Sequence, residues 1–347
     1  MADSRLVATW DQWVQGARPR TLPAAFAPVL VGTAVAWYYL ADLLDPRYES
    51  GERALSPVVD DNGSPFGVDP DSIFTLGVHP HAATTLSSFV VRALLALVVA
   101  LALQIGVNFA NDYSDGIRGT DEARVGPVRL VGQRLAEPSS VKRAAFLCFG
   151  VGAVAGLALV LLTHAWWLLL LGLAAIVAAW FYTGGSHPYG YAGLGELFVF
   201  IFFGLVAVAG TTYVQTLAIT PLSLFAGVAC GSLAVAILLA NNLRDIPTDR
   251  LAGKRTLAVR LDDRGTRIAY SLAIAAPFLI TVGMAIGGIP WALTGLLAMP
   301  LGIRPARTVR GGAIGRELVP VLSGTGVLLL GYAVALSAGL VIAEIGG

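Results

Sequence analysis

Nine apolar segments follow one another along this chain of 347 residues. A transmembrane helix needs about 20 predominantly apolar residues, so these segments predict a chain that crosses a bilayer many times. Only 13% of the residues are charged, whereas a soluble domain carries about 25%. The segments are 22–44, 89–110, 144–162, 165–181, 194–214, 222–240, 268–288, 290–303 and 318–343. We therefore predict an all-α, polytopic membrane protein with about nine transmembrane helices.

The basic residues are distributed unevenly between the loops. With the N-terminus in the cytoplasm, 20 of the 23 Lys and Arg residues fall on the cytoplasmic side, as the positive-inside rule requires. The exceptions are Arg47, Arg53 and Arg92. The segment 45–88 is rich in Pro, Gly, Asp and Ser, which predicts an external, largely irregular insertion. We expect the whole chain, 1–347, to form a single transmembrane domain around this insertion.

Two clusters of asparagine and aspartate follow the second and sixth apolar segments. They contain Asn108, Asn111, Asp112 and Asp115, and Asn241, Asn242, Asp245 and Asp249. Four membrane crossings separate the two clusters, so both lie on the same face of the bilayer. If the helices continue through them, each cluster forms a one-sided polar stripe, because residues three or four apart share a helix face. The two clusters can therefore belong to one site.

The clusters indicate a cation and a phosphate-bearing ligand. Carboxylates at the end of a membrane helix are costly, and four that face one another repel unless a cation lies between them. Mg²⁺ is usually held by one or two carboxylates together with substrate phosphates. Basic residues flank both clusters, namely Arg118, Arg124, Arg129, Lys254 and Arg255. The positive-inside rule explains any single one of these bases equally well, but it does not explain the paired aspartates.

Several stretches of the chain resemble the UbiA superfamily of intramembrane prenyltransferases. The first cluster is similar to the Asn-Asp-x-x-Asp-x-x-x-Asp signature of that superfamily, and the second is similar to its Asp-x-x-x-Asp signature. Gly119 stands where the third aspartate of the first signature would fall, and Asp121 follows two residues later. The stretches 13–21, 182–191 and 242–261 are similar to the branch that prenylates 1,4-dihydroxy-2-naphthoate in menaquinone synthesis.

This resemblance implies a helical bundle around an intramembrane cavity and a Mg²⁺-dependent reaction. A polyprenyl group would pass from polyprenyl diphosphate to 1,4-dihydroxy-2-naphthoate with decarboxylation, giving demethylmenaquinone. The implied Mg²⁺ ligands are Asp112, Asp115, Asp245 and Asp249. The implied substrate-binding residues are Arg118, Arg129, Lys254 and Arg255 for the diphosphate, and Arg18, Arg20, Tyr182 and Tyr189 for the aromatic acceptor. Asn108, Asn111 and Asn242 complete the substrate-binding set, and Asn111 and Asn242 would orient carboxylates or substrate. Tyr182 or a carboxylate would take the final proton.

Two alternatives remain open at this point. A related transferase would act on another acceptor, such as 4-hydroxybenzoate or homogentisate. An ion-coupled transporter would also place charged groups along a membrane cavity, although transporters hold their substrates near the midplane on broken helices. For the enzyme we expect a bacterial cell membrane, with the N-terminus and the active-site loops in the cytoplasm, and no nucleic acid as a partner.

Overall fold

The computed structural model describes residues 8–44, 83, 85–119 and 128–345. The predicted external insertion lies almost entirely outside this part of the chain, and so do Arg47, Arg53, Asp121 and Arg124. Every regular element among the described residues is a helix. The predicted all-α class is therefore confirmed.

Ten helices form the described fold, and all nine predicted segments are helical. The helices are α1 (Trp10–Gly16), α2 (Pro23–Leu44), α3 (Leu86–Ile117), α4 (Pro138–Thr163), α5 (Leu168–Phe181), α6 (Gly195–Thr216), α7 (Pro221–Leu251), α8 (Leu257–Ile286), α9 (Met299–Arg310) and α10 (Val319–Ile345). Seven of them, α2, α3, α4, α6, α7, α8 and α10, are long and apolar enough to cross a membrane. The protein is thus a multi-pass membrane protein.

The fourth and eighth predicted spans differ from regular full-length helices. α5 has only 14 residues, because His164 ends α4 in the left-handed conformation and a turn follows before Leu168. The eighth span is a 3₁₀ segment, Pro290–Ala298, that continues into α9. The total of nine transmembrane helices stays a prediction, since these two elements do not reach the length of the other seven.

Helices α3 and α7 carry the two polar clusters to the same end of the bundle. Each begins with a capping box, in which Thr85 accepts a hydrogen bond from the Ser88 N–H at 3.2 Å and Thr220 accepts one from the Ser223 N–H at 3.0 Å. Such boxes satisfy N–H groups that have no partner inside the helix. With 32 and 31 residues, both helices exceed the length that a bilayer requires. Their last turns therefore contain the clusters, as predicted.

The two largest groups of buried apolar side chains join different sets of helices. Buried side chains of α2, α7, α8 and α10 form the larger group, where the hydroxyls of Tyr270 and Thr325 are 2.7 Å apart. The smaller group joins α3, α4 and the segment 129–136 around Phe109 and Leu130. α6 lies against α7, and a Cβ atom on Gly204 would be only 2.5 Å from the Gly231 Cα atom. Such a close approach requires small residues at the helix interface.

Arg92 is the one described exception to the positive-inside distribution, and its side chain is only 6% exposed. Its guanidinium donates to the backbone oxygens of Val214, at 2.9 Å, and Leu162, at 3.3 Å. These oxygens belong to the last turns of α6 and α4, where carbonyl groups lack partners within the helix. A cation is favourable at a helix C-terminus, so Arg92 links α3 to the last turns of α4 and α6.

We expect Arg92→Met to lower the free energy of unfolding by about 1–3 kcal/mol, because buried carbonyl groups lose their donors. The measurement is the thermal unfolding midpoint of the purified protein in detergent. Arg304→Met is the matched control, since Arg304 is exposed on α9. An Arg92 variant that unfolds at the wild-type temperature would contradict this role.

Candidate functional site

An apolar cavity of about 630 Å³ lies between α2, α3, α4, α5, α6 and α7. Its walls are mainly aliphatic and aromatic, and its end beside the last turns of α3 and α7 is polar. The polar lining residues are Arg18, Thr21, Gln104, Asn108, Asn111, Asp115, Arg129, Tyr182, Thr183, Tyr189, Tyr191, Thr211, Asn241, Asn242, Asp249, Lys254 and Thr256. The ends of α3 and α7 therefore border a single cavity, and residues from both clusters face it.

Asp115 and Lys254 connect the two clusters across the cavity. The Lys254 Nζ atom is 3.5 Å from the Asp115 Oδ1 atom, and both side chains are buried. The Tyr191 hydroxyl donates a hydrogen bond to the same carboxylate oxygen, and the Lys254 ammonium lies 4.4 Å from the centroid of the Tyr191 ring. Tyr191 was not among the predicted site residues, although it belongs to the tyrosine-rich stretch 182–191. This contact depends on folding and could not be deduced from spacing.

Asp112 is bound to the polypeptide backbone beside the cavity. Its Oδ2 atom accepts a hydrogen bond from the Leu130 N–H at 2.7 Å, and its Oδ1 atom accepts one from the Val131 N–H at 3.2 Å. Asp112 therefore fixes the segment that carries Arg129 into the cavity lining. A carboxylate has about four lone-pair positions, so these two bonds leave capacity for a cation. The prediction that Asp112 binds Mg²⁺ stays a prediction.

Asp245 is held by its neighbour in sequence. The Arg244 guanidinium contacts both carboxylate oxygens, at 2.7 and 2.8 Å, and also donates to the Asn241 Oδ1 atom at 2.9 Å. A bidentate pair of this kind is among the stronger charge-assisted contacts. The four predicted aspartates thus divide into Asp115 and Asp249, which border the cavity, and Asp112 and Asp245, which are held beside it.

The N-terminal segment reaches the site through the first cluster. Asn108 donates hydrogen bonds to the Ala17 carbonyl oxygen, at 2.9 Å, and to the Thr21 hydroxyl, at 3.1 Å. These bonds hold the turn in which Arg18 adopts the left-handed conformation, with φ of 56°. Arg18 borders the cavity, whereas Arg20 is exposed and does not. Of the two predicted acceptor-binding arginines, the fold brings only Arg18 to the cavity.

The side chains of Arg118 and Arg255 also lie outside the cavity lining. Arg118 donates hydrogen bonds to the carbonyl oxygens of Thr183 and Gly185, and it thereby ties the tyrosine-rich loop to the end of α3. The backbone N–H of Arg255 donates to the Tyr191 carbonyl oxygen at 2.8 Å. Both residues thus support the loop that closes the site, and neither reaches the cavity in this conformation.

The tyrosine-rich loop supplies an aromatic wall to the polar end of the cavity. The rings of Tyr182 and Tyr189 meet edge to face with centroids 5.5 Å apart, and Tyr189 stacks on Phe198 at 4.1 Å. The Tyr189 hydroxyl donates to the Ala178 carbonyl oxygen at 2.8 Å. Burial raises the pKa of Tyr189, so this phenol remains protonated. The Thr183 hydroxyl donates to the Asn111 Oδ1 atom at 2.8 Å, which fixes the loop against α3.

Glu196 is the second residue near the site, after Tyr191, that the sequence-based prediction missed. It lies in the first turn of α6, is 5% exposed, and its Oε1 atom accepts a hydrogen bond from the Asn242 Nδ2 atom at 2.9 Å. A carboxylate at the start of an apolar span is costly, and that cost was the available signal. Glu196 extends the polar region of the site from α7 to α6.

The donor set at the polar end fits Mg²⁺ together with a diphosphate. Within the described residues, no group of three His, Cys, Asp or Glu side chains is arranged to hold a metal ion by itself. Mg²⁺ does not require such a group, because it is commonly bound through one or two carboxylates and the phosphates of a substrate. Asp115 and Asp249 are the carboxylates that border the cavity, and Lys254 and Arg129 border it too. Cationic side chains of this kind suit phosphate oxygens.

The described fold is a bundle of membrane helices around an apolar cavity with one polar end. Residues 73–311 match the UbiA prenyltransferase family, and the chain belongs to that family. Within it, the chain is 48% identical to the 1,4-dihydroxy-2-naphthoate octaprenyltransferase of Mycobacterium tuberculosis, over 98% of this chain and 100% of that protein. It is 34% identical to the enzyme of the same name from Escherichia coli, over 91% of this chain and 88% of that protein.

Two solved structures have the same fold at low sequence identity. A UbiA homologue from Aeropyrum pernix K1 is similar with a TM-score of 0.60 and 13% identity, over 93% of this chain and 98% of that chain. A UbiA homologue from Archaeoglobus fulgidus bound to GPP and Mg²⁺ gives a TM-score of 0.57 and 13% identity, over 94% and 99% of the two chains. The predicted UbiA-like fold is therefore confirmed.

Proposed function

We propose that this protein transfers a polyprenyl group from polyprenyl diphosphate to 1,4-dihydroxy-2-naphthoate with decarboxylation, giving the reduced, diol form of demethylmenaquinone. The observation that carries the proposal is the junction of α3 and α7, where Asp115, Asp249 and Lys254 border the polar end of one apolar cavity. The polar end of such a cavity suits the charged diphosphate of a prenyl diphosphate, and the apolar walls suit its prenyl chain. The relatives named for this reaction align with nearly the whole chain, which supports the choice of acceptor.

The first chemical step breaks the allylic C–O bond, and the electron pair leaves with the diphosphate. Mg²⁺ bound at Asp115 and Asp249 would supply positive charge to the leaving group. Lys254, Arg129 and Arg18 border the same end of the cavity. Fixed cations stabilise negative charge as it develops and therefore lower the barrier. We assign diphosphate binding to Lys254 and Arg129, with Asn108, Asn111 and Asn242 as polar contacts.

The second step forms a carbon–carbon bond between the allylic cation and the electron-rich naphthoate ring. The ring carboxylate then leaves as carbon dioxide, and its bonding electrons restore the aromatic ring. Tyr182 and Tyr189 border the cavity beside Phe198, so they form a wall against which an aromatic acceptor can stack. We assign acceptor binding to this wall and to Arg18. We propose that a carboxylate, directly or through the Tyr182 hydroxyl, takes the proton of the acceptor hydroxyl as the carbon–carbon bond forms and returns it when carbon dioxide leaves.

Exclusion of water is a further contribution of the cavity. An allylic cation reacts with water, and a closed apolar site suppresses that side reaction. Aliphatic residues of α3, α4 and α5, including Leu103, Leu157 and Leu173, extend the lining away from the polar end. We propose that the prenyl tail occupies this apolar region, with the N-terminus and the polar end on the cytoplasmic side of a bacterial cell membrane, as the distribution of basic residues favours.

The test of the proposal is an assay of the purified protein in lipid nanodiscs with octaprenyl diphosphate and 1,4-dihydroxy-2-naphthoate. We expect a Mg²⁺-dependent prenylated product by mass spectrometry and release of labelled carbon dioxide from the ring carboxyl group. Parallel reactions with 4-hydroxybenzoate and homogentisate compare the rates of prenylation of the three acceptors. Faster prenylation of 4-hydroxybenzoate or homogentisate than of dihydroxynaphthoate would contradict the assignment, and so would substrate uptake into liposomes without any covalent product.

A further inference from the structure

Glu196 carries a buried carboxylate, and the steps of prenyl transfer described above do not use it. One of its oxygens, Oε2, is buried and makes no hydrogen bond to the part of the chain that the structure describes. A buried polar atom without a partner lowers stability, and a carboxylate near the start of a membrane span adds to that cost. Packing alone would favour an apolar side chain at this position. The presence of a glutamate is therefore explained by the hydrogen bond that it accepts from Asn242.

That bond determines which way the Asn242 side-chain amide faces. A primary amide has a donor nitrogen at one end and an acceptor oxygen at the other. The Asn242 Nδ2 atom donates to the Glu196 Oε1 atom at 2.9 Å, so the Asn242 Oδ1 atom faces away from Glu196. Asn242 borders the cavity, one turn before Asp245 and two turns before Asp249 on α7. An amide oxygen that faces the cavity can bind a cation or its water, whereas an amide NH₂ group cannot.

The surrounding backbone holds Glu196 in place. A Cβ atom on Gly204 of α6 would be 2.6 Å from the Gly227 carbonyl oxygen of α7, so the two helices are in close backbone contact. The preceding residue, Gly195, lies against the Tyr182 ring, since a Cβ atom there would be 3.3 Å from the Tyr182 hydroxyl oxygen. Glu196 is thus fixed between the acceptor wall and the second aspartate cluster, on rigid elements.

We propose that Glu196 is a positioning residue that fixes the Asn242 amide with its oxygen toward the site of the Mg²⁺–diphosphate pair. The proposal rests on the proposed function, because it presumes a diphosphate substrate held with Mg²⁺. Partners that orient the groups around a metal typically change metal affinity or activity by about 10- to 100-fold when they are removed. Glu196 acts through Asn242 and does not itself border the cavity.

The experiment measures binding of farnesyl thiodiphosphate, whose carbon–sulfur bond ionises slowly, to the full-length protein in nanodiscs as a function of Mg²⁺ concentration. For Glu196→Met, which keeps the length of the side chain, we expect the half-saturating Mg²⁺ concentration to rise about 10- to 100-fold. Glu196→Gln is expected to stay within about threefold of the wild type, since its amide oxygen can accept the same hydrogen bond. Glu196→Ala provides a second variant that lacks the bond.

A double-mutant cycle tests whether the effect passes through Asn242. If it does, Glu196→Met adds nothing to the effect of Asn242→Ala, because coupled residues are not additive. Tyr270→Phe is the control for the loss of a buried hydrogen bond. Tyr270 on α8 is hydrogen-bonded to Thr325 on α10, and neither residue borders the cavity. We expect this control to bind the analogue with the wild-type Mg²⁺ requirement.

Three results would overturn the positioning role. They are an unchanged Mg²⁺ requirement in Glu196→Met, a Glu196→Gln variant as impaired as Glu196→Met, and additive effects in the double variant. Because binding is measured without any acceptor, the assignment of the acceptor is tested separately. A wild-type protein that binds the thiodiphosphate with Mg²⁺ but does not prenylate dihydroxynaphthoate would contradict the proposed function and leave the role of Glu196 standing.

Discussion

Replacement of Asp115 and Asp249 together by asparagine is expected to reduce prenyl transfer by about 10²–10⁴-fold, on the basis of about 10- to 100-fold for each polar group of a metal site. Both side chains border the polar end of the cavity, and asparagine keeps their size while it removes two negative charges. Without those charges Mg²⁺ is held less tightly, and the diphosphate leaves less readily. Initial rates at the Mg²⁺ concentration that half-saturates the wild-type protein, with octaprenyl diphosphate and dihydroxynaphthoate, measure the effect.

The matched control carries the same change of charge outside the cavity. Asp11 and Asp263 are exposed acidic residues, on α1 and α8, and the Asp11→Asn/Asp263→Asn protein should keep its activity within about threefold, because exposed charges contribute little. If high Mg²⁺ restores prenyl transfer by the Asp115→Asn/Asp249→Asn protein, the substitutions have weakened Mg²⁺ binding. Full activity of that protein at low Mg²⁺ would remove the chemical basis of the proposed reaction.

Asp112→Ala is expected to lower both stability and activity, for a reason that differs from metal binding. The carboxylate accepts hydrogen bonds from the backbone N–H groups of Leu130 and Val131, and both residues are buried. The loss of an acceptor costs about 1–3 kcal/mol for each buried donor left unsatisfied. The segment that carries Arg129 would also lose its attachment to α3, so prenyl transfer should fall with the thermal midpoint.

The thermal unfolding midpoint and the amide hydrogen exchange of the Asp112 variants are measured without Mg²⁺, so that metal binding does not contribute to stability. We expect a lower unfolding midpoint and faster hydrogen exchange of the Leu130 and Val131 amides in Asp112→Ala. Asp112→Asn should be intermediate, because its single amide oxygen can accept from only one of the two groups. Asp263→Ala, an exposed substitution, is the control. Wild-type exchange at both amides in Asp112→Ala would show that the contact does not hold this segment.

Much of the fold could be predicted from sequence, because a bilayer restricts what a chain can do. Segments of about 20 apolar residues must form helices that satisfy their own backbone groups, and all nine predicted segments are helical. Asn108 and Asp249 lie inside α3 and α7, as their helical spacing predicted. The shortness of α5 and the 3₁₀ segment Pro290–Ala298 were not predicted, because they depend on local turns that hydropathy does not report.

Of the residues predicted for the site, the structure brings some to the cavity and leaves others outside it. Asp115, Asp249 and Lys254 were predicted and border the cavity. Arg20, Arg118 and Arg255 have the same chemistry, but their side chains lie outside the lining. Spacing along a helix places a residue on a face, while the identity of the neighbouring helix decides whether that face meets a cavity, a loop or solvent.

The sequence by itself determined the membrane class, the number of apolar segments and the presence of both aspartate clusters on one side, because hydropathy and crossing number are properties of the chain. The tertiary structure alone decided that Tyr191 donates to Asp115, that Asp112 holds the backbone of residues 130–131, and that Glu196 meets Asn242. Each of these contacts joins residues at least 18 positions apart. Such contacts form only when helices and loops pack together, so no local pattern encodes them.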